Sequence, residues 1–237
     1  MQYAFFIQHL LRQTERKECF IEHHVAKGYD PKKFVFYSSR DGADYDDLEV
    51  MRGEMLECYP ELNPPQVVGR GEFGCLWGQI EMVDTFSEGL LPDAEYVWYV
   101  QDDNFLNLPV DHFERILEAF VARDPDFCCW RTAYLHHTAP PYNIPPTFTL
   151  EGLGFCEGWR GYGDSGVLMN RRAARLIRGE MLKKRIFMGS INEGDTPMAG
   201  EKGFYTNCDK PHRAEYHHPN AICSFGENES ERERLNQ

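Results

Sequence analysis

The chain has 237 residues, 42% hydrophobic and 27% charged, a balance that suits a globular protein with a sizeable core and excludes a disordered one. Its formal net charge of −13 opposes nucleic-acid phosphates and anionic lipid, so no long nucleic acid is expected as a partner. No apolar run approaches a membrane span, and Met1 to Ile7 meets His9 and Arg12 before a signal-peptide core could form. The expectation is therefore a cytoplasmic protein, or one acting at the cytosolic membrane face through partners.

Tyr3 to Ile7 is aromatic and apolar, which reads as a buried strand. A polar stretch comes next, in which Phe20, Ile21 and Val25 are spaced for one helix face, ended by Gly28 and the Asp30-Pro31 turn. Phe34 to Tyr37 reads as a second strand, closed by Ser38, Ser39 and Asp41-Gly42. Strand, helix, strand in this order predicts parallel pairing. Tyr45 to Cys58 and Phe73 to Phe86 read as helices, the second with Phe73, Leu76, Trp77, Ile80 and Val83 on one face.

Tyr96 to Val100 is an unbroken apolar run, the mark of a strand covered on both faces. His112 to Val121 reads as an amphipathic helix and Phe127 to Trp130 as a strand. From Thr138 to Gly166 prolines and glycines are dense, which reads as a long functional loop. Val167 to Asn170 and Ala173 to Leu182 restore a strand and a helix. The basic cluster from Arg171 to Arg185 reads chiefly as the solvated side of that helix. The residues from 226 onward form a charged tail. The eight cysteines include no C-x-x-C pair, so no zinc cluster is expected, and free, mostly buried thiols are.

The strongest local signal for chemistry is the end of the run at Tyr96, which leads into Gln101-Asp102-Asp103-Asn104. Ligands of open α/β sheets bind beyond the carboxyl ends of strands. Two adjacent carboxylates there repel each other unless a cation sits between them, and oxygen donors favour magnesium or manganese. A nucleoside diphosphate with its bridging metal satisfies both conditions. The alternative is a polar turn in which Asp103 caps the next element.

Several blocks, in order, resemble glycosyltransferase family 25, which includes lipopolysaccharide and collagen galactosyltransferases. Phe5 to Gly42, with Arg12, Glu15-Arg16 and Asp41-Gly42, is similar to the family's opening strand, its Arg-x-x-Glu-Arg helix start and its acid-glycine turn. Gly71-Glu72-Phe73-Gly74-Cys75 is similar to Gly-Glu-Ile-Gly-Cys. Tyr96 to Asp103 stands where the family has a strand ending in Glu-Asp-Asp, and Gly163 to Leu176 looks like its late strand and helix. Three departures stand out: Gln101 replaces the Glu, Gly78-Gln79 replaces a Ser-His, and Gln8-His9 replaces an Asn at the first strand's exit.

The resemblance implies a GT-A-like, Rossmann-type mixed α/β sheet flanked by helices in a single domain. The nucleotide-sugar half would cover about residues 1–110 and the acceptor half about 111–225. It implies a hexosyltransferase that moves a sugar from a nucleotide-sugar donor, a UDP-sugar, to a glycan or hydroxyl acceptor with inversion. Asp102 and Asp103 would form a DxD-like site for Mn2+ or Mg2+. Gln8, Arg12, Arg16, Asp41, Glu72 and Gln101 would contact the donor. His217 and His218 are candidates for the C-terminal histidine that completes such sites.

Inversion needs a general base. Asp195, just before Thr196-Pro197 and thus at a credible helix start, is the first candidate, and Asp164, among glycines, the second. As an N-cap, Asp195 would have a purely structural role. A non-catalytic sugar-nucleotide-binding protein of the same fold is the competing reading, motivated by Gln101 and the missing Ser-His. A nucleotidyltransferase is the third, disfavoured because Gln8 to Arg16 holds no glycine for a phosphate loop.

Overall fold

A computed structural model describes residues 2–62, 69–106, 108–123, 127–129, 148–150, 153–157, 166–184, 203–206 and 223–225. The elements in chain order are β1 (Tyr3–His9), α1 (Thr14–Ala26), β2 (Phe34–Ser38), α2 (Leu48–Cys58), α3 (Arg70–Ser87), β3 (Tyr96–Gln101), β4 (Asn104–Leu106), α4 (Val110–Val121), β5 (Phe127–Cys129), β6 (Phe148–Leu150), β7 (Leu153–Glu157), β8 (Val167–Asn170), α5 (Arg171–Lys184), β9 (Gly203–Thr206) and β10 (Cys223–Phe225).

One eight-stranded sheet runs in the order β2-β1-β3-β8-β5-β9-β7-β6. β1 lies between β2 and β3, parallel to both, with Phe5 opposite Phe34 on one side and Trp98 on the other. β8 then pairs antiparallel with β3 and with β5, which makes the sheet mixed. β4 leaves the sheet and pairs with β10. This is the mixed α/β sheet flanked by helices expected of a GT-A-like domain. The expected long loop before Gly166 contains the antiparallel pair β6-β7. Its prolines and glycines hid short strands that carry few residues of periodic signal.

The apolar runs are explained by burial on two faces. Tyr3, Phe5 and Ile7 alternate with Trp98 and Val100 into a core closed by Phe20 of α1 and Phe113, Ile116 and Leu117 of α4. Phe6, Val97 and Tyr99 point the other way, onto Phe73, Trp77 and Ile80 of α3 and Ile177 and Met181 of α5. Such period-two alternation, apolar on both sides, marks a sheet sandwiched between helix layers.

The helix faces differ in part from the sequence expectation. The buried face of α1 is Arg16, Phe20 and His24, while Val25 is 45% exposed. The spacing of four is helical, but two of its members are polar, so a hydrophobicity pattern misses it. α2 begins at Leu48, capped by the Asp47 side chain on the Glu49 amide, and not at Tyr45. The basic face of α5 serves a structural purpose. Arg178 pairs with Asp84 and with Glu61, and Arg171 and Arg175 donate to the carbonyls of Leu91 and Ser87 just beyond α3 and at its last residue. Cations there complement the helix's negative end. The expectation of mostly buried thiols does not hold for the free cysteines described: Cys19 and Cys58 are exposed and Cys75 half-buried. Among the described residues, no helix is long and apolar enough to cross a membrane.

Candidate functional site

The carboxyl ends of β1, β2 and β3 open on a pocket walled by Gln8, His9, Ser39, Arg40, Gln101 and Asp102 among others. Its existence depends on glycine. Gly74 and Gly78 share a face of α3, and a Cβ on Gly74 would lie 2.6 Å from the Arg40 carbonyl oxygen. One on Gly78 would lie 2.2 Å from Ser39 Oγ and 2.5 Å from Gln8 Nε2. The helix therefore approaches the strand exits more closely than any side chain at these positions allows. Gly71, in its first turn, borders the pocket, where the positive end of the helix favours an anion.

The acidic pair sits in the turn between β3 and β4. Asp102 and Asp103 line the pocket yet are only 6% and 7% exposed. The Asp102 amide donates to the Gln8 carbonyl at 3.0 Å, which locks the turn to the neighbouring strand. His9 lies 2.7 Å through Nδ1 from Asp102 Oδ2. A carboxylate only accepts, so Nδ1 carries the proton. The Asn104 amide donates to Asp103 Oδ1 at 2.7 Å. The remaining oxygens, Asp102 Oδ1 and Asp103 Oδ2, both face Arg16, whose Nη1 lies 3.8 and 3.7 Å away. The cation that stands between the two carboxylates is thus a guanidinium, itself only 6% exposed, delivered by the buried face of α1.

A second network forms beneath the pair. Gln8 Oε1 accepts from the Tyr99 hydroxyl at 2.6 Å and from Gln101 Nε2 at 3.3 Å, while Gln8 Nε2 donates to the Cys75 carbonyl at 2.9 Å. Gln101 and Gln79 amides also reach the Cys75 sulfur, at 3.1 and 3.7 Å. The three departures from the family pattern, at Gln8-His9, Gly78-Gln79 and Gln101, therefore meet in one place. Gln8 touches Gln101, Gly78 makes room for Gln8 and Ser39, and Gln79 shares Cys75 with Gln101.

At the rim, Arg12 grips Asp41 through Nε and through Nη2, the latter at 3.2 Å, and Asp41 also accepts from the Ala43 amide at 2.9 Å. Asp41 lines the pocket and Arg12 braces it. Glu72 is half-buried in the first turn of α3 beside Gly71 and is not among the lining residues. Of the expected donor-contacting residues, then, Gln8, Arg16, Asp41 and Gln101 share the pocket with Asp102 and Asp103. Asp164, Asp195, His217 and His218 lie outside the described residues.

Three contributors escaped the sequence reading. His9 was visible only as part of a departure from the family. Ser39 lines the pocket, while its Oγ is buried in the contact with α3, where a Cβ on Gly78 would lie 2.2 Å from it. His24 supports the acidic turn from behind. Its Nδ1–H donates to the Phe20 carbonyl at 2.7 Å and its Nε2 accepts from the Leu106 amide at 3.2 Å. Burial lowers this imidazole's pKa to about 3, so it is neutral at physiological pH. The spacing of Arg16, Phe20 and His24 was the signal that could have found it.

As a seat for a divalent ion, the pair offers hard oxygen donors of suitable chemistry. Among the described residues no His, Cys, Asp or Glu joins them in a group of three that could hold a metal. Two protein carboxylates with the remaining positions left to ligand oxygens is the arrangement that suits magnesium bound through a diphosphate.

No protein-family model matches the chain, and no curated protein does so significantly. Solved structures similar to it include a glycosyltransferase involved in the glycosylation of the major capsid of PBCV-1, 9% identical over 99% of this chain and 97% of that one, with a TM-score of 0.47. Mouse xyloside xylosyltransferase 1 is 10% identical over 97% and 99%, with a TM-score of 0.43. A197 from STIV is 12% identical over 97% and 96%, also with a TM-score of 0.43.

Proposed function

We propose that the chain is a metal-dependent glycosyltransferase that moves a hexose from a UDP-sugar to a hydroxyl acceptor with inversion. The observation that carries this reading is the pair of buried carboxylates, Asp102 and Asp103, lining a pocket at the exits of three parallel strands. Burying two adjacent negative charges is costly unless cations are recruited to them. Arg16 and the amino end of α3 supply positive potential on the same pocket, which suits a ligand that brings anionic charge of its own.

In this reading Asp102 and Asp103 would hold a Mn2+ or Mg2+, which would supply Lewis acidity to offset the charge of a diphosphate leaving group. The protein's own groups prepare that site. His9 and Asn104 each hold one oxygen of a carboxylate, and the other oxygen faces Arg16, itself a residue of the pocket wall. Asp41 stands on the same pocket wall, its carboxylate held in place by Arg12 and the Ala43 amide. Asp195 takes the acceptor hydroxyl's proton, with Asp164 as the substitute, and His217 or His218 adds a ligand from the C-terminal segment.

Binding of a sugar nucleotide without turnover is the second reading. It is favoured by the engagement of both carboxylates with Arg16 and by the neutral Gln101.

The deciding experiment pairs binding with turnover. UDP with Mn2+ should raise the melting temperature of the wild-type protein, and Asp103→Ala should abolish both that rise and transfer or donor hydrolysis. Unchanged activity in Asp103→Ala removes the enzyme reading. Binding with no hydrolysis or transfer on any donor supports the second one. Asp195→Asn should keep nucleotide affinity and lower turnover about 100-fold, the scale of general-base loss. Wild-type turnover there moves the base to Asp164.

A further inference from the structure

We propose that His24 and His23 of α1 are positioning residues that set the acidic turn, and through it the second carboxylate, Asp103. The inference rests on the reading of Asp102 and Asp103 as a site for a metal and a diphosphate. It adds to that reading the groups that hold the turn in place.

The turn is anchored differently at its two ends. On the β3 side the main sheet holds it, because the Asp102 amide donates to the Gln8 carbonyl at 3.0 Å. Past Asp103 the chain leaves that sheet, and β4 pairs with β10, Phe105 opposite Ser224. The N–H and C=O of the next residue, Leu106, meet two adjacent imidazoles of α1. The Leu106 amide donates to His24 Nε2, and His23 Nε2 donates to the Leu106 carbonyl, both at 3.2 Å.

The partners commit each ring to one tautomer. His24 Nδ1 faces the Phe20 carbonyl at 2.7 Å, and a carbonyl only accepts, so the proton sits on Nδ1 and Nε2 keeps its lone pair. His23 carries its proton on Nε2, by the same reasoning at Leu106. Opposite tautomers on neighbouring residues thus present an acceptor and a donor side by side, as the edge of a strand does. Stacking fixes the two rings, His24 on Phe20 at 4.0 Å between centroids and His23 on Phe105 at 4.9 Å. The grip extends past β4, where the Tyr29 hydroxyl donates to the Leu108 carbonyl at 3.0 Å and the Val110 amide to the Lys27 carbonyl at 2.9 Å.

His24 is 1% exposed, so a Leu106 amide deprived of its acceptor there becomes a buried donor without a partner. Movement of β4 relieves that cost. Asp102 stays with Gln8, whereas Asp103, linked to Asn104 at 2.7 Å, moves with β4. The spacing of the two carboxylates is then lost, and a cation shared between them depends on that spacing.

The test replaces the ring nitrogens one at a time. An asparagine amide nitrogen takes the place of Nδ1, and a glutamine amide oxygen takes the place of Nε2. His24→Asn therefore keeps the bond to Phe20 and loses the one to Leu106, and His24→Gln does the reverse. Affinity for Mn2+ with UDP, measured by calorimetry below the melting transition of each variant, should fall about 10-fold or more in His24→Asn. In His24→Gln it should stay within about 3-fold of wild type. Hydrogen exchange, which needs no ligand, should quicken at the Leu106 amide in His24→Asn alone, with the amides of β1 and β3 unchanged in both variants. If the asparagine variant does not fold, the half-buried His23 gives the same comparison: His23→Leu deletes the donor to Leu106 and should weaken binding, and His23→Gln retains it and should not. Affinities that fall together in the two His24 variants, or do not fall in either, overturn the positioning role, as does identical exchange at Leu106. Wild-type protein that binds no Mn2+ with UDP overturns the reading of the pocket, while exchange at Leu106 still decides whether the histidines hold the turn.

Discussion

Gln8 and Gln101 stand opposite each other on adjacent parallel strands, and the Gln101 amide donates to Gln8 Oε1 at 3.3 Å. The same oxygen accepts the Tyr99 hydroxyl, and the opposite end of the Gln8 amide is committed to the Cys75 carbonyl. The orientation of Gln8 is therefore determined from both ends, and position 101 must present a donor.

That requirement predicts the effect of restoring the acidic residue that the family resemblance would place there. Gln101→Glu puts a carboxylate against an oxygen that cannot turn away without losing Cys75. The expected cost is about 1–3 kcal/mol, the range for a buried polar group left facing the wrong partner. Urea denaturation measures it. A midpoint equal to wild type would show that the floor of the pocket rearranges freely.

Close packing of α3 on the strand exits gives a prediction with its own control. Gly78→Ala places a methyl 2.2 Å from Ser39 Oγ and 2.5 Å from Gln8 Nε2 and should cost about 1–3 kcal/mol. Gly53→Ala and Gly179→Ala, on helix positions with nothing within 4 Å, should instead stabilise by about 0.5–1 kcal/mol through helix propensity alone. Thermal melts of the three variants should separate in sign, and destabilisation by all three would refute the packing argument.

His24 makes stability depend on pH in a defined direction. Its folded pKa, lowered to about 3 by burial, lies below the value of 6.5 for the unfolded chain. Between these values the unfolded state binds the extra proton, so the contribution is present above pH 6.5 and is lost as pH falls toward 3. The loss from this residue should reach about 2 kcal/mol between about pH 7 and pH 5. His24→Gln, which does not titrate, should be less stable at neutral pH but show a shallower decline over that window. Parallel declines in the two proteins would mean that His24 carries no part of it.

Much of the architecture of the N-terminal strands and helices was legible because its signals are local. The apolar runs at Tyr3 and Tyr96 became β1 and β3, and Asp102-Asp103 fell at a strand's exit, as in other open sheets. The arrangement around the pair was not legible. His9 and Asp102 are 93 residues apart, and the group that stands between the carboxylates comes from a helix whose buried face is partly polar. The strands β6 and β7 were hidden because such short segments among prolines and glycines give no usable period.

What the sequence by itself determined is the alternation of strands and helices and the presence of two neighbouring acids at the end of a buried strand. Side-chain period and turn residues act over a few positions and survive being read in one dimension. What only the tertiary structure decided is the company those acids keep: Arg16 facing both, His9 and Asn104 holding one oxygen each, and a glycine face on α3 bringing a second wall within reach. Electrostatics and packing act through space, so a charge on α1 and a missing methyl on α3 count at Asp102 and Asp103 only once the chain has folded to bring them there.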